Sequence, residues 1–211
     1  MGRAWRVITP VSQEPVSLDP LRAYLRVDFS DDDALLQQLI TRARVLGEEL
    51  THRAFATQQV ECIYTIDRPP GGEMYGPIQP GPNWYQYQEQ LGANPFGAAM
   101  FYFDLPCPPF QEWQPYSVET RVTVWDPWMP FTGPMTIDTT VEPARMYFQV
   151  PVTANQWRFR FWCGYSAQYP LPAVLEQALY EAVAYWYQNR EAQDLPEALQ
   201  HKFLLKRVDW L

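Results

Sequence analysis

Two histidines and three cysteines narrow the chemistry open to this chain. Glu49-Leu-Thr-His52 has the Glu-x-x-His spacing that sets a carboxylate and an imidazole on one helical face. That is half of a di-iron motif, and a complete centre needs a second copy plus two further carboxylates on facing helices. The other histidine, His201, follows Glu197 one residue too late for that spacing. We read His52 as a polar residue closing a helix, where a cation suits the dipole. Asp28, Asp31, Asp32 and Asp33 crowd four carboxylates together, but a calcium loop needs a central glycine and a distal glutamate in register, and both are missing. Their reading is an acidic helix start. Cys62, Cys107 and Cys163 are odd in number and far apart, so they supply neither a disulfide framework nor a CxxC knuckle. We expect buried thiols in a chain made in a reducing cytoplasm. No G-x-S-x-G, P-loop or G-x-G-x-x-G occurs, and Gly71-Gly72 sits among prolines. The residues ask for no enzyme, metal or cofactor.

Composition narrows the class further. A chain of 211 residues that is 47% hydrophobic can bury a core and is not disordered. Aromatics reach 16% and prolines number 21, which predicts short strands, rigid turns and exposed aromatic surface. A formal charge of −8 argues against gripping nucleic acid through its phosphates, which takes a basic footprint. The N-terminus lacks a signal-peptide core and no run approaches membrane-spanning length, so a soluble chain with no membrane contact is expected.

The elements that must position these residues follow from hydrophobic period. Val7 to Pro10 reads as a short strand and Ser17 to Leu25 as a short helix capped by Ser17. Leu35, Leu36, Leu39, Ile40, Ala43, Leu46 and Leu50 recur at three- and four-residue spacing, predicting one long helix with Ser30 or Asp31 as its cap. From Thr57 the period becomes two. Strands are expected at Val60–Ile66, Met100–Leu105, Val118–Val124 and Trp157–Cys163, with Met146–Val150 pairing with the last. Pro172 opens a second long helix whose buried stripe is Leu171, Leu175, Ala178, Leu179, Ala182 and Trp186. A short helix at Pro196–Leu205 ends the series. The predicted class is α+β: a helical bundle from 1–56 and 164–211 with an inserted antiparallel β region at 57–163. Within the insertion, 68–98 reads as a long Pro/Gly/aromatic loop.

Two surfaces stand out. Tyr75, Trp84, Tyr85, Tyr87, Trp113, Trp125 and Trp128 form an aromatic set that suits either packing of the insertion or a stacking platform for a glycan or host component. Tyr180 and Tyr187 edge a second face of the late helix, and we place them with Trp84 and Tyr85 at a subunit interface. The tail, His201 to Leu211, is locally basic and apolar in an acidic chain. Phe203 to Leu205 have helical context, whereas Val208 to Leu211 fit a partner better.

Several stretches, in order, resemble the head–tail connector (adaptor) proteins of tailed phages with double-stranded DNA. They are Glu14-Pro-Val-Ser-Leu18, Leu25-Arg-Val-Asp28 with Asp31 to Leu35, Leu105-Pro-Cys-Pro-Pro109, Glu142-Pro-Ala-Arg145, Gly164-Tyr165, Leu171-Pro172 and Ala184 to Glu191. The resemblance implies a structural protein of the virion neck, assembled in the host cytoplasm as a commonly dodecameric ring beneath the portal. Such a ring extends the DNA channel without binding DNA specifically and docks a stopper or tail-completion protein. It also implies that Lys206, Arg207, Val208, Trp210 and Leu211 contact the portal protein, with Trp210 in a portal pocket and Arg207 on a portal carboxylate. The 68–98 segment departs from shorter members. The alternative from the residues alone is a binding module that uses its aromatic β region.

Overall fold

The computed structural model describes residues 2–66, 100–149 and 154–209. The chain is α+β, with four helices and two antiparallel sheets among those residues. Strand β1 (Gly2–Thr9) precedes helices α1 (Leu18–Leu25) and α2 (Asp33–Thr51). Seven strands follow: β2 (Gln58–Thr65), β3 (Met100–Asp104), β4 (Ser117–Arg121), β5 (Met129–Pro130), β6 (Met135–Asp138), β7 (Arg145–Gln149) and β8 (Gln156–Cys163). Helices α3 (Ala173–Gln188) and α4 (Glu197–Leu204) close the chain.

The long helices pack together because each carries one small-residue-rich apolar stripe. Leu36, Leu39, Ile40 and Ala43 of α2 meet Leu175, Ala178, Leu179, Ala182 and Val183 of α3, with Leu21 and Phe203 filling the ends. Gly47, missed by the apolar count, also lies on the buried face. There a Cβ would come within 2.4 Å of the Phe55 ring. The helix ends where His52 turns left-handed at φ 58°, its N–H donating to the Glu48 carbonyl at 2.9 Å.

The first sheet runs β1-β2-β8-β4-β5 and the second β3-β7-β6. In β8, Trp157, Phe159, Phe161 and Cys163 alternate inward, as a half-buried strand requires. They meet Phe103 and Phe148 of the second sheet, with Phe148 and Trp157 centroids 4.7 Å apart and Phe103 and Phe159 5.0 Å apart. Each such ring contributes about 1.5–3 kcal/mol on burial. This aromatic layer is the second core.

The structure corrects four expectations. Strand β7 pairs with β3 and β6, not with β8, whose partners are β2 and β4. Alternation shows which face a strand buries but not its neighbour. Strand β4 stops at Arg121, and Val122 and Val124 lie exposed in the turn to β5. Residues 2–9 belong to the sheet, not the bundle, through pairing of β1 with β2. The N-cap position of α2 is Asp32, without a side-chain capping bond, because the acidic start binds neighbours instead. Asp33 takes the Arg22 Nε–H at 2.7 Å and Asp32 takes the Tyr187 hydroxyl at 2.5 Å. The long Pro/Gly/aromatic loop expected at 68–98 lies outside the described residues.

Candidate docking site

The bundle and the sheets are joined by a polar hinge. Glu48 of α2 accepts the Phe55 N–H at 2.8 Å and the Arg44 Nη1–H at 2.9 Å. Arg44 also donates to Glu14 at 2.8 Å, which ties the segment before α1 to α2. Burial pushes the Glu48 pKa up, and the Phe55 amide and Arg44 only partly offset it. On the far side, buried Gln111 donates to Thr57 at 2.9 Å and to the Gly164 carbonyl at 2.8 Å. Beside this joint lies a groove of about 580 Å³ whose walls include Glu14, Pro15, Phe55, Tyr165, Leu171 and Glu176.

The C-terminal segment is held on the same joint. The Val208 N–H donates to the Thr51 carbonyl at 2.9 Å, and the Val208 carbonyl lies 3.0 Å from His52 Nδ1. Arg53 donates to the Lys206 carbonyl at 2.7 Å, to Glu142 at 2.6 Å and to the Tyr165 hydroxyl at 3.3 Å. Burial alone would lower the Arg53 pKa, but the bond to Glu142 and the nearby Tyr165 outweigh it and raise it. Val208, expected at a partner, is buried in its own chain. It is the residue that pins the tail. Phe203 is fully buried on Phe55, whereas Leu205 is exposed. The Lys206 and Arg207 side chains remain exposed, with Arg207 donating to Asp209 at 2.7 Å. Trp210 and Leu211 lie outside the described residues, as do Tyr75, Trp84, Tyr85 and Tyr87.

Tyr180 and Tyr187 are both half-buried and already partnered. Tyr180 stacks on Tyr24 at 5.4 Å and donates to Glu176 at 3.0 Å; burial, then that bond, pushes its pKa up to about 12. Tyr187 is raised chiefly by its bond to Asp32. They brace α3 against α1 and the start of α2. The remaining aromatic set divides: Trp113 stacks on Tyr169 at 5.5 Å, Trp128 lies under Arg121 and Arg158, and Trp125 is 91% exposed.

The outer face of the first sheet is an ion-pair network that hydrophobic counting misses. Glu61, 3% exposed, accepts from Arg6 and Arg160 at 2.8 Å each, and Glu119 accepts from Arg158 at 2.7 Å. Burial would raise the Glu61 pKa, but the two arginines hold it below the ordinary carboxylate value. Its sequence signal is a charged residue at the position between inward-facing ones: Arg158 and Arg160 in β8, Glu61 in β2 and Glu119 in β4. All three cysteines are free and buried, and no group of ligating side chains suited to a metal occurs among the described residues. No helix there is long and apolar enough to cross a membrane.

No family model matches the chain, and no curated protein matches it. Solved structures do match. One is a chain in the neck of an empty gene transfer agent (GTA) particle computed with C6 symmetry, at 17% identity and TM-score 0.63, covering 99% of this chain and 97% of that one. Another is in the virion of the native GTA particle, at 17% identity and TM-score 0.62, covering 98% and 96%. A third is in the neck of the native particle computed with C12 symmetry, at 16% identity and TM-score 0.60, covering 99% and 97%. The likeness is one of fold. It runs nearly end to end in both chains, so no large domain separates them.

Proposed function

We propose that this chain is a structural head–tail connector, or adaptor, of a phage-like particle. It forms a ring in the virion neck beneath the portal, extends the DNA channel and docks a stopper or tail-completion protein, without turnover. One observation carries the reading: near full-length correspondence of fold with chains of GTA necks and virions. The ordered sequence stretches that resemble phage adaptors support it independently. The C6 and C12 symmetries of those necks support a homo-oligomeric ring, for which twelve copies fit the resemblance.

Within this reading, the bundle and the tail face the portal. Burial of Val208 on its own helix leaves the exposed Lys206 and Arg207, with the terminal Trp210 and Leu211, as the portal contacts. A ring of chains each carrying −8 does not hold the duplex it surrounds. The test is to purify the full chain, measure its mass in solution and image it, then offer it to DNA-filled heads that bear portal but no tail. Rings that join such heads, with only weak and salt-labile binding to free DNA, are expected. A chain that neither forms rings nor joins portal-bearing heads, or that binds DNA tightly in high salt, would overturn the proposal. Glycan capture by a persistent monomer would favour the binding module instead.

A further inference from the structure

The tail after α4 is gripped by its backbone. Thr51, His52 and Arg53, where α2 ends, each reach it at a main-chain atom. The Val208 N–H meets the Thr51 carbonyl at 2.9 Å, the Val208 carbonyl lies 3.0 Å from His52 Nδ1, and the Lys206 carbonyl accepts from Arg53 Nε at 2.7 Å. The tail supplies further bonds itself. The Lys206 N–H donates to the Phe203 carbonyl at 2.9 Å and the Arg207 N–H to the Leu204 carbonyl at 3.1 Å, a turn that carries on from α4. Val208 turns its side chain inward, whereas Lys206, Arg207 and Asp209 stay exposed. Main-chain bonds fix where such a segment lies and leave its outward side chains for recognition.

The gripping residues are themselves held. His52 turns left-handed at φ 58° and ends the helix. The Thr51 hydroxyl donates to the Gly47 carbonyl at 2.7 Å and accepts the Arg53 N–H at 3.2 Å. On the other side, the Ala54 N–H donates to the Pro108 carbonyl at 3.0 Å. The Arg53 side chain is 11% exposed and points each nitrogen at a different segment. Nε goes to the tail, Nη2 to Glu142 in the β6–β7 turn at 2.6 Å, and Nη1 to the Tyr165 hydroxyl after β8 at 3.3 Å. A planar guanidinium holds several directions at once, which an ammonium on a flexible stem does not.

We propose that Thr51, His52 and Arg53 form a clip that fixes the tail and presents the Lys206 and Arg207 side chains outward to the portal, with Arg53 as the positioning residue. The inference rests on the docking reading above and adds the device that places its contacts. Without the clip these side chains would sit on a loose terminus, and the entropy of ordering it would oppose docking.

The test follows the Val208 amide by hydrogen exchange in the full chain, and joining to portal-bearing heads. In Arg53→Ala that amide should exchange at least about tenfold faster, the loss of one charge-assisted bond, while the buried amides of α2 and α3 keep their rates. A tail variant with Lys206, Arg207, Trp210 and Leu211 all changed to Ala should keep the parent's Val208 rate, because the grip is on the backbone, yet join heads at least about tenfold more weakly. Arg53→Ala should weaken joining as well. Added to the tail variant it should cause no further loss, since a positioning residue acts only through what it positions. Arg53→Lys should restore neither property.

Val208 exchange at the parent's rate in Arg53→Ala overturns the clip. So does a further loss of joining when Arg53→Ala is added to the tail variant, because Arg53 then acts through the fold and not the tail. If Arg53→Ala loses its helical signal, Glu142→Ala at a half-exposed position takes its place. Faster Val208 exchange there supports the clip, and an unchanged rate sinks it. A parent chain that joins no portal-bearing heads overturns the docking reading and removes the partner, while the Val208 rate still decides the clip.

Discussion

Substitution of Gly164 probes the point where bundle and sheet are welded. Gly164 follows the last residue of β8 and precedes the return to the bundle, at φ +102°. Its N–H donates to the Pro109 carbonyl at 2.8 Å and its carbonyl accepts from Gln111. A Cβ there would lie 2.0 Å from the Ala56 carbonyl oxygen and 2.6 Å from the carbonyl carbon. Those are backbone atoms of the outgoing crossing, so no rotamer change relieves the overlap. A positive φ costs an L-residue about 1–2 kcal/mol, and overpacking that must move backbone adds about 2–3 kcal/mol. Gly164→Ala should therefore cost about 3–5 kcal/mol, a large part of the roughly 5–15 kcal/mol a domain has. Gly47→Ala is the matched comparison. Its Cβ meets only rings, Phe55 at 2.4 Å and Phe203 at 3.0 Å, and helix propensity returns about 1 kcal/mol. Its net cost should stay near about 1 kcal/mol. Urea unfolding of the full chain followed by circular dichroism reads both. Gly164→Ala within about 0.5 kcal/mol of the parent, or milder than Gly47→Ala, would refute the reasoning.

Burial pushes the Cys62 and Cys107 thiols up to about 12 and Cys163 well above the ordinary thiol value, so none should label with a thiol reagent at pH 8 until the chain unfolds; a thiol that labels natively at the rate of free cysteine counts against those positions. Glu61→Gln should cost about 1–2 kcal/mol at neutral pH through loss of two charge-assisted bonds. Because the folded pKa of Glu61 is lowered, its stabilisation is full above the unfolded value of about 4.3 and is lost as pH falls through the folded value. The gap between parent and variant should thus close on acidification, and urea midpoints that differ equally at pH 7 and pH 3 would contradict this. Val208→Asp should unpin the tail from Thr51 and His52, so that trypsin cuts at Lys206 and Arg207 at least about tenfold faster while the helical signal is kept; unchanged cleavage would show that Val208 does not hold it.

The sequence by itself determined whatever depends on residues close along the chain. The spacing of Leu36, Leu39, Ile40 and Ala43, and of Leu175, Ala178, Leu179 and Ala182, settled both long helices and their buried faces. Strict alternation in β8 settled which of its side chains form the core. Only the tertiary structure decided which strands neighbour one another, since a period of two fixes a face and not a partner. That is why β7 joined β3 and β6, and why residues 2–9 left the bundle for the sheet. The same limit applies to the polar residues. Asp32 and Asp33 look like a cap in sequence, but Tyr187 and Arg22 arrive from other helices to claim them. Val208 looks like a free apolar end until Thr51, far away in sequence, offers its carbonyl. A carboxylate or a terminal valine has no fixed partner until the chain has folded around it, and long-range packing alone supplies one.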